Sequence, residues 1–266
     1  MKPIQLIDQL GTLHTFETAP QRIVSLVPSQ TELLYDLGLE DQIVGITKFC
    51  VHPHHLKSTK TVVGGTKEVH LDKIRELNPD IIICNKEENT QVMVAEMSEI
   101  CPVWVTDIYT IEDNFKMIVD FGQLFSCNEL AHKWIDKLTI AWSDFDEFIK
   151  DKPIQKAAYF IWRKPYMVVG SNNFINELLN RNHLYNVYGT DSGRYPVIEL
   201  EEMAGKNPEI ILLSSEPYPF KEKHALEIKQ FIPNAKIVLV DGEMFSWYGT
   251  RLLKAFGYFK EWHQNL

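Results

Sequence analysis

The sequence predicts an α/β protein of two related lobes, each with a parallel sheet, joined by one long α-helix. The segment 71–83, LDKIRELNPDIII, is echoed by 200–212, LEEMAGKNPEIIL. In both copies, apolar residues at helical spacing end at an Asn-Pro pair that stops a helix, and an aliphatic run follows as a buried strand. Strands and helices alternate in both halves, which favours parallel sheets covered on both faces.

The first half begins with a short hairpin or arm at 3–19 and a strand at 22–27. Ser29 and Glu32 have the spacing of a capping box, so a helix is expected to start at Ser29 and to stop at Gly38. Further strands are predicted at 43–46, 61–63, 80–84 and 102–105, and helices at 71–77, 90–99 and from 111 onward.

A long amphipathic helix is predicted between the two copies. Residues 128–150 contain no Gly or Pro, and apolar residues recur there at spacings of three and four. A helix of about 20 residues is about 30 Å long, enough to span a small domain. The predicted organisation is an N-terminal lobe at 1–127, a joining helix at 128–152 and a C-terminal lobe at 153–266.

The second half repeats the strand–helix series. Strands are predicted near 157–162, 184–188, 209–214 and 236–240, and helices near 172–181, 199–205, 222–230 and 249–262.

Composition restricts the classes of partner. The 266 residues are enough for two lobes of about 120 residues each. A net charge of −9 argues against general affinity for nucleic acid or anionic membranes. No segment reaches the ~18 continuous apolar residues of a membrane span. No signal peptide is visible at the N-terminus, so the sequence leaves a cytoplasmic location and an exported one both open.

Motifs for catalysis are missing from the sequence. It has no Gly-x-Ser-x-Gly elbow, Walker loop or His-Glu-x-x-His zinc motif, which predicts a protein that is not an enzyme and has no resident cofactor. His52, His54 and His55 favour a solvated loop over a metal site, because Pro53 and the adjacent rings make a shared coordination sphere awkward. Direct metal binding by these three histidines stays open.

Aromatic and cationic residues are concentrated in loops next to the predicted sheet elements, chiefly after strands. In α/β lobes, ligands gather outside the carboxyl ends of parallel strands. Rings provide apolar area and Arg pairs with carboxylates or phosphates, so this mixture suits a large, flat, partly anionic ligand. The candidate ligand-binding residues are Phe49, Lys67, Trp162, Arg163, Tyr166, Arg194, Tyr195, Phe245, Trp247, Tyr248 and Arg251.

Several segments resemble one family in their order along the chain. They are 22–32 (RIVSLVPSQTE), 44–53 (VGITKFCVHP), 63–65 (VGG) and the first Asn-Pro-Asp unit. Together they resemble the helical-backbone solute-binding proteins of ABC importers, which carry cobalamin, ferric siderophores and haem. Segment 44–53 is most similar to the cobalamin-binding branch. The resemblance implies two Rossmann-like lobes joined by one helix, a ligand in the cleft between them, and export to the periplasm or membrane surface.

The resemblance also implies roles for individual residues. Phe49, Trp162 and Tyr195 fall on positions that resemble aromatic ligand contacts of cobalamin-binding members. Thr66 stands where such members can carry a Trp, which weakens an assignment to intact cobalamin. The arginines at 163, 194 and 251 favour an anionic, siderophore-like ligand instead.

The two repeat copies carry an acid in the same slot, Asp72 and Glu201. The resemblance implies that these acids pair with basic residues of the membrane permease, and Glu202 could replace Glu201. Acids also favour the first turn of any helix through the macrodipole, so both explanations stay open.

Three functions follow from these features. The leading hypothesis is a non-catalytic binding component that delivers a metal chelate, a ferric siderophore or a corrinoid, to an ABC importer permease. A two-lobe metal chelatase or cofactor-processing enzyme is the second, motivated by the histidines and the lack of a visible export signal. An intracellular ligand sensor is the third. The sequence does not identify the ligand or the oligomeric state.

Overall fold

The computed structural model describes residues 3–190 and 193–266 of the chain. The strands are β1 Ile4–Ile7, β2 Leu13–Phe16, β3 Ile23–Ser25, β4 Ile43–Ile46, β5 Thr61–Val62, β6 Ile81–Asn85, β7 Val103–Thr106, β8 Gln155–Trp162, β9 Tyr166–Val168, β10 Leu184–Asn186, β11 Val197–Ile198, β12 Ile210–Ser214 and β13 Lys236–Val240. The helices are α1 Pro28–Asp36, α2 Leu56–Thr59, α3 Leu71–Glu76, α4 Gln91–Ser98, α5 Ile111–Leu124, α6 Asn128–Ile149, α7 Phe174–Arg181, α8 Leu200–Lys206, α9 Glu222–Lys229, α10 Gly242–Ser246 and α11 Leu252–Gln264, with a 3₁₀ turn at Gly249–Arg251.

The predicted strands and helices are all present, with ends displaced by a few residues. Sequence reasoning missed α2, β9, β11 and α10. These elements contain between two and five residues, too few for a hydrophobic period to show.

The first sheet has five parallel strands in the order β5-β4-β3-β6-β7. The antiparallel hairpin β1–β2 lies beside the edge strand β7. The Asp8 carboxylate accepts a hydrogen bond from the Val105 N–H at 3.2 Å, and the Gln9 side-chain carbonyl accepts one from the Asp107 N–H at 3.0 Å. Side chains of the hairpin therefore cover donors of an edge that would otherwise pair with another strand.

The second sheet is mixed, which corrects the prediction of a parallel sheet in this half. Its order is β11-β9-β8-β12-β13, with β10 also beside β8. Strands β8, β10, β12 and β13 are parallel, whereas β9 is antiparallel to both β8 and β11. The cause is the short turn 163–165, because so few residues can only join antiparallel strands.

The chain divides into two compact units. The first contains the chain up to Thr139 together with Tyr248–Arg251, and the second contains Ile140–Trp247 and Leu252–Leu266. The division therefore falls within α6, and residues 248–251, predicted for the C-terminal lobe, belong to the first unit instead. Among the described residues, no helix is both long enough and apolar enough to cross a membrane.

The start of α1 differs from the predicted capping box. The helix begins at Pro28, and its N-cap residue Val27 has no side chain that could cap it. Proline suits the first helical position because its missing N–H would be unpaired there in any case. Glu32 therefore does not cap this helix; its carboxylate pairs with Arg251 instead. The predicted stop is confirmed at Gly38, which has a φ of +77°.

The Asn-Pro turn has the same backbone conformation in both copies of the repeat. Asn78 and Asn207 are left-handed, with φ of 44° and 50°. Asn tolerates this region better than most residues, and the following Pro prevents the helix from continuing. The turn therefore ends α3 and α8 in the same way.

The acid after each Asn-Pro pair holds the start of a neighbouring central strand. In the first copy, the Asp80 carboxylate accepts the Arg22 N–H at 2.9 Å, and the Asp80 N–H donates to the Arg22 carbonyl at 2.8 Å. In the second copy, Glu209 makes the same two bonds to Lys156, at 2.7 and 2.8 Å. The repeat seen in the sequence is thus also a repeat of hydrogen bonds.

Candidate ligand-binding site

The loop after β4 places Phe49 at the carboxyl end of the first sheet. The neighbouring Cys50 is buried, with its Sγ 3.1 Å from the Thr31 hydroxyl and 3.2 Å from the Thr47 hydroxyl. Burial raises the pKa of Cys50, so it remains a thiol that anchors the loop. Phe49 itself is 50% exposed, and the Lys48 ammonium lies 5.1 Å from its ring centroid. The ring is accessible where the sequence predicts a ligand contact.

Two further loops at this edge are tied together. The Asn89 side chain accepts the Asn85 N–H at 2.9 Å and donates to the Thr66 carbonyl at 2.9 Å. Lys67, a predicted ligand contact, is exposed and donates to the Glu87 carbonyl at 2.6 Å. Sequence reasoning missed the loop 85–89; its signal is the pair of Asn residues that follows the buried strand β6.

Tyr248 is buried within the first unit, contrary to its predicted exposure to a ligand. Its hydroxyl accepts a hydrogen bond at 3.0 Å from Gln30, whose amide nitrogen also lies 2.5 Å from the Thr106 hydroxyl. Burial raises the pKa of Tyr248, which therefore stays neutral. The ring fixes the 248–251 segment and has little surface for a ligand.

Arg251 is also removed from the predicted ligand surface. Its guanidinium makes two bonds to the Glu32 carboxylate, at 2.7 and 2.9 Å. The two side chains are only 3% and 7% exposed. A positive charge that is buried and paired in this way is poorly placed to attract an anionic ligand from solvent, and the ligand role of Arg251 stays a prediction.

The predicted contacts Phe245 and Trp247 are structural in the second unit. Phe245 is completely buried, with ring centroids 5.3 Å from Tyr159 and 4.8 Å from Phe259. Trp247 is also buried, and its indole N–H donates to Glu216 at 2.8 Å. Phe245 has no exposed surface to offer a ligand, which corrects its assignment, whereas Trp247 keeps 8% exposure and its ligand role stays a prediction.

The last residue of β8, next to the turn into β9, is an exposed ring of the second unit. Trp162 is 40% exposed, and its ring centroid lies 5.7 Å from that of Tyr218. The Arg163 guanidinium and the Tyr166 hydroxyl both donate to Glu227, at 2.7 and 2.6 Å. Sequence reasoning named three of these residues but missed Tyr218 and Glu227; the signal for Tyr218 is its position after the buried strand β12.

Arg194 and Tyr195 lie next to residues 191 and 192, which are outside the described part of the chain, and both are half-buried. The Arg194 carbonyl accepts the Gly170 N–H at 2.8 Å and the Asn173 side-chain amide at 3.1 Å. Gly170 is required by this close approach, because a Cβ there would lie 2.4 Å from the Gly193 carbonyl oxygen. Main-chain bonds thus position this loop, and its ligand role stays a prediction.

The two predicted docking acids occupy equivalent helix starts. Asp72 lies in the first turn of α3 and Glu201 in the first turn of α8. The Asp72 side chain is 95% exposed and pairs loosely with Arg75 at 3.1 Å, and Glu201 is exposed.

The histidine loop does not assemble a metal site. The rings of His52 and His54 are 5.1 Å apart, while His55 binds Glu40 at 2.7 Å. Within residues 3–190 and 193–266, no group of three or more His, Cys, Asp or Glu side chains is placed to hold a metal ion.

Comparisons with known proteins give the family. Residues 23–236 match the model of a family described as periplasmic binding protein. The ABC transporter substrate-binding lipoprotein YvrC of Bacillus subtilis is 26% identical over 79% of this chain and 68% of its own length. The vitamin B12-binding protein of Vibrio campbellii is 24% identical over 75% of this chain and 73% of its own length.

Solved structures agree on the fold. The periplasmic vitamin B12 binding protein BtuF of Vibrio cholerae superposes with a TM-score of 0.76 at 17% identity, covering 93% of this chain and 99% of its own. A periplasmic binding protein of Veillonella parvula gives a TM-score of 0.80 at 15% identity, covering 100% and 99%. Since the family model matches most of its length, this chain belongs to the periplasmic binding protein family.

Proposed function

We propose that this protein is the substrate-binding component of an ABC importer and that its ligand is a metal chelate. Family membership and the printed names of the relatives, which include an ABC transporter lipoprotein and vitamin B12-binding proteins, support the transport role. The observation that carries the proposal is the exposure of Phe49 and Trp162 at the carboxyl ends of β4 and β8. Each of these rings is exposed beside the end of a strand in its own unit, which is where a ligand of an α/β lobe gathers.

The charges favour a corrinoid over an anionic siderophore. The predicted preference for an anion rested on three arginines, and two of them are engaged by acids, Arg163 by Glu227 and Arg251 by Glu32. An Arg that already pairs with a carboxylate gains little from a second anion. A ligand recognised through ring faces, with few charges of its own, fits these surfaces better.

The metal is proposed to arrive within the chelate, with no resident cofactor in the protein. The histidines at 52, 54 and 55 do not converge with a further ligand. In this proposal the protein acts after export, in the periplasm or attached at the membrane surface, where the importer receives its substrate.

Binding experiments with three chelates test this proposal. The purified protein is titrated with cyanocobalamin, haemin and a ferric hydroxamate siderophore, followed by tryptophan quenching and calorimetry. We expect saturable binding of cyanocobalamin and weaker or no binding of the siderophore. No binding of any of the three would refute the proposal, and turnover of a porphyrin with a divalent metal would support the chelatase alternative. A cytoplasmic location of the full-length protein in its native cell would support the sensor.

Asp72 and Glu201 are proposed to dock the permease. We expect the double charge reversal D72K/E201K to leave ligand affinity unchanged and to reduce uptake in cells. The matched control is Glu222→Lys, because Glu222 is also an exposed acid in the first turn of a helix. Equal uptake by the double variant and the control would show that the two acids serve only their helix dipoles.

A further inference from the structure

The second unit contains a cluster of aromatic and charged side chains that includes two residues not predicted from the sequence, Tyr218 and Glu227. Five side chains meet around the turn between β8 and β9: Trp162, Arg163, Tyr166, Tyr218 and Glu227. We propose that Trp162 and Tyr218 form one preformed aromatic wall for the ligand, and that the Arg163–Glu227 ion pair positions this wall without binding the ligand. The inference rests on the proposed function and specifies how the second unit recognises its ligand.

A bulge in β8 exposes Trp162. Phe160 pairs with Val168, but Trp162 pairs with Met167, so β8 advances two residues while β9 advances one. Residues two apart in a regular strand lie on the same face. Phe160 is buried in the core whereas Trp162 is exposed, which a bulge explains because it re-aims the side chain that follows.

Glu227 on α9 holds both sides of the turn. It accepts the Arg163 guanidinium at 2.7 Å and the Tyr166 hydroxyl at 2.6 Å. The Tyr166 hydrogen bond, followed by that from Arg163, keeps the pKa of Glu227 below its usual value. The carboxylate therefore stays ionised at neutral pH, and the positive charge of Arg163 is compensated within the protein.

Tyr218 is connected to the same arrangement. Its N–H donates to the Ile161 carbonyl at 3.3 Å, which joins the loop after β12 to the end of β8. The Tyr218 ring in turn contacts Trp162, the residue before Arg163. The Arg163–Glu227 ion pair therefore holds the end of β8, where the two rings of the wall meet.

Buried side chains support the Tyr218 ring of the wall. The Tyr218 ring centroid lies 4.9 Å from Phe220 and 5.5 Å from His224, both of which are buried. The His224 ring accepts the Lys221 N–H at 3.0 Å, which fixes its orientation. Because the Tyr218 ring is backed by packed side chains, it can receive a ligand without first losing much side-chain freedom.

The chemistry of this wall indicates a ligand with a flat, uncharged face. Trp162 and Tyr218 meet edge to face at 68°, which leaves ring surface for stacking. The two ionised members, Arg163 and Glu227, neutralise each other. Recognition at the second unit is therefore by stacking and apolar contact, and it should depend little on salt.

Variants of the whole protein separate contact from positioning. With cyanocobalamin as the probe, we expect Tyr218→Ala to weaken binding by about 10- to 50-fold and Glu227→Gln by about 3- to 10-fold. Tyr218→Phe keeps the ring and should therefore bind about as well as the unaltered protein. The matched control is Tyr185→Ala, an exposed ring on β10, which pairs with the opposite end of β8. If Tyr218→Ala left the affinity unchanged, Tyr218 would not contact the ligand and the proposal would be wrong.

Arg163→Met decides whether the guanidinium binds the ligand. As a positioning residue it should cost about as much as Glu227→Gln, with affinity insensitive to added salt. Direct pairing with an anionic group would make Arg163→Met much the more damaging change and would make binding fall with salt. Glu227→Gln would then strengthen binding, because it frees the Arg. Either outcome overturns the proposal.

A readout without ligand keeps positioning separate from the proposed function. The edge-to-face pair should give a near-ultraviolet circular dichroism signal that Glu227→Gln and Arg163→Met reduce and Tyr185→Ala preserves. If cyanocobalamin, haemin and the ferric siderophore all fail to bind, the contact part falls with the proposed function, and this signal alone decides positioning. An unchanged signal in both variants would overturn the positioning role.

Discussion

The two copies of the repeated helix–strand segment build the same turn with different surroundings. Asn78 and Asn207 share a left-handed backbone, and the following acids, Asp80 and Glu209, make matching bonds to the start of a central strand. The first copy has an additional bond from the Arg22 guanidinium to the Leu77 carbonyl at 3.0 Å. The comparison shows that the Asn-Pro-acid sequence is enough to specify the turn, whereas the contacts around the turn differ between the copies.

The two units differ more at the carboxyl ends of their strands. The first sheet is wholly parallel, and its exposed ring, Phe49, lies in a loop held by the buried Cys50. The second sheet has an antiparallel strand, and its exposed ring, Trp162, is turned outward at a bulge. An exposed ring near a strand end is therefore produced by an anchored loop in the first unit and by a β-bulge in the second.

The largest expected effect contrasts an exposed ring with a buried one. Phe245→Ala should destabilise the protein by about 3–5 kcal/mol, because it opens a cavity among Tyr159 and Phe259. Phe49→Ala should change the free energy of unfolding by no more than about 0.5 kcal/mol but should weaken chelate binding. Urea denaturation followed by circular dichroism measures both. Similar destabilisation by the two changes would break the comparison.

A buried ion pair is the next test, since it fixes residues 248–251 in the first unit. Arg251→Met should cost about 3–4 kcal/mol, because it leaves the Glu32 carboxylate buried without its partner. Arg75→Met removes an exposed partner of Asp72 and should cost at most about 1 kcal/mol. The double variant E32M/R251M should recover much of the loss in the same urea experiment. A loss as small as that of Arg75→Met would contradict the structural role.

The turn shared by the repeat copies predicts matched, smaller effects. Asn78→Ala and Asn207→Ala should each destabilise by about 1–2 kcal/mol, because alanine is strained at a φ near +50°. Asn→Gly at the same positions should be close to neutral, since glycine adopts this conformation freely. Thermal unfolding of the four variants gives the values. A cost confined to one copy would show that the surroundings, and not the turn, set the energy.

The last effect is of similar size, depends on pH and belongs to the second unit. Burial lowers the pKa of His263 from 6.5 to about 4 in the folded protein. The unfolded chain then binds the proton first, so stability is complete above pH 6.5 and falls as the pH drops toward 4, by about 1–2 kcal/mol for this half-buried group. His263→Asn should flatten the slope in that window when stability is measured by urea denaturation at several pH values. A slope that the variant leaves unchanged would assign the pH dependence to other groups.

Much of the fold could be predicted from the sequence. The joining helix, predicted at 128–152, is α6 at Asn128–Ile149, and the two Asn-Pro units end helices as expected. These features depend on hydrophobic period and on turn residues, which act over a few neighbouring positions. Short elements such as β9 and β11 could not be predicted, because their pairing partner and not their own pattern stabilises them.

The candidate site could be predicted less well. Phe49 and Trp162 are exposed at strand ends as the sequence indicates, but Phe245 at a comparable position is core. Aromatic residues that follow strands can either contact a ligand or pack in the core. A single sequence does not show whether a given ring faces solvent or the core. Tyr218 and Glu227 were missed because their proposed roles depend on contacts with Trp162, Arg163 and Tyr166, which are more than 50 positions away in the sequence.

The sequence by itself determined the repeated helix–strand units, the helix between them and the concentration of rings and charges near strand ends. These follow from interactions between residues that are close along the chain. Only the tertiary structure decided which charges remain available, because Arg163 and Arg251 are each neutralised by an acid far away in sequence. Glu32 and Arg251 are 219 positions apart, and Arg163 and Glu227 are 64 apart. At such separations only the folded chain determines which side chains meet.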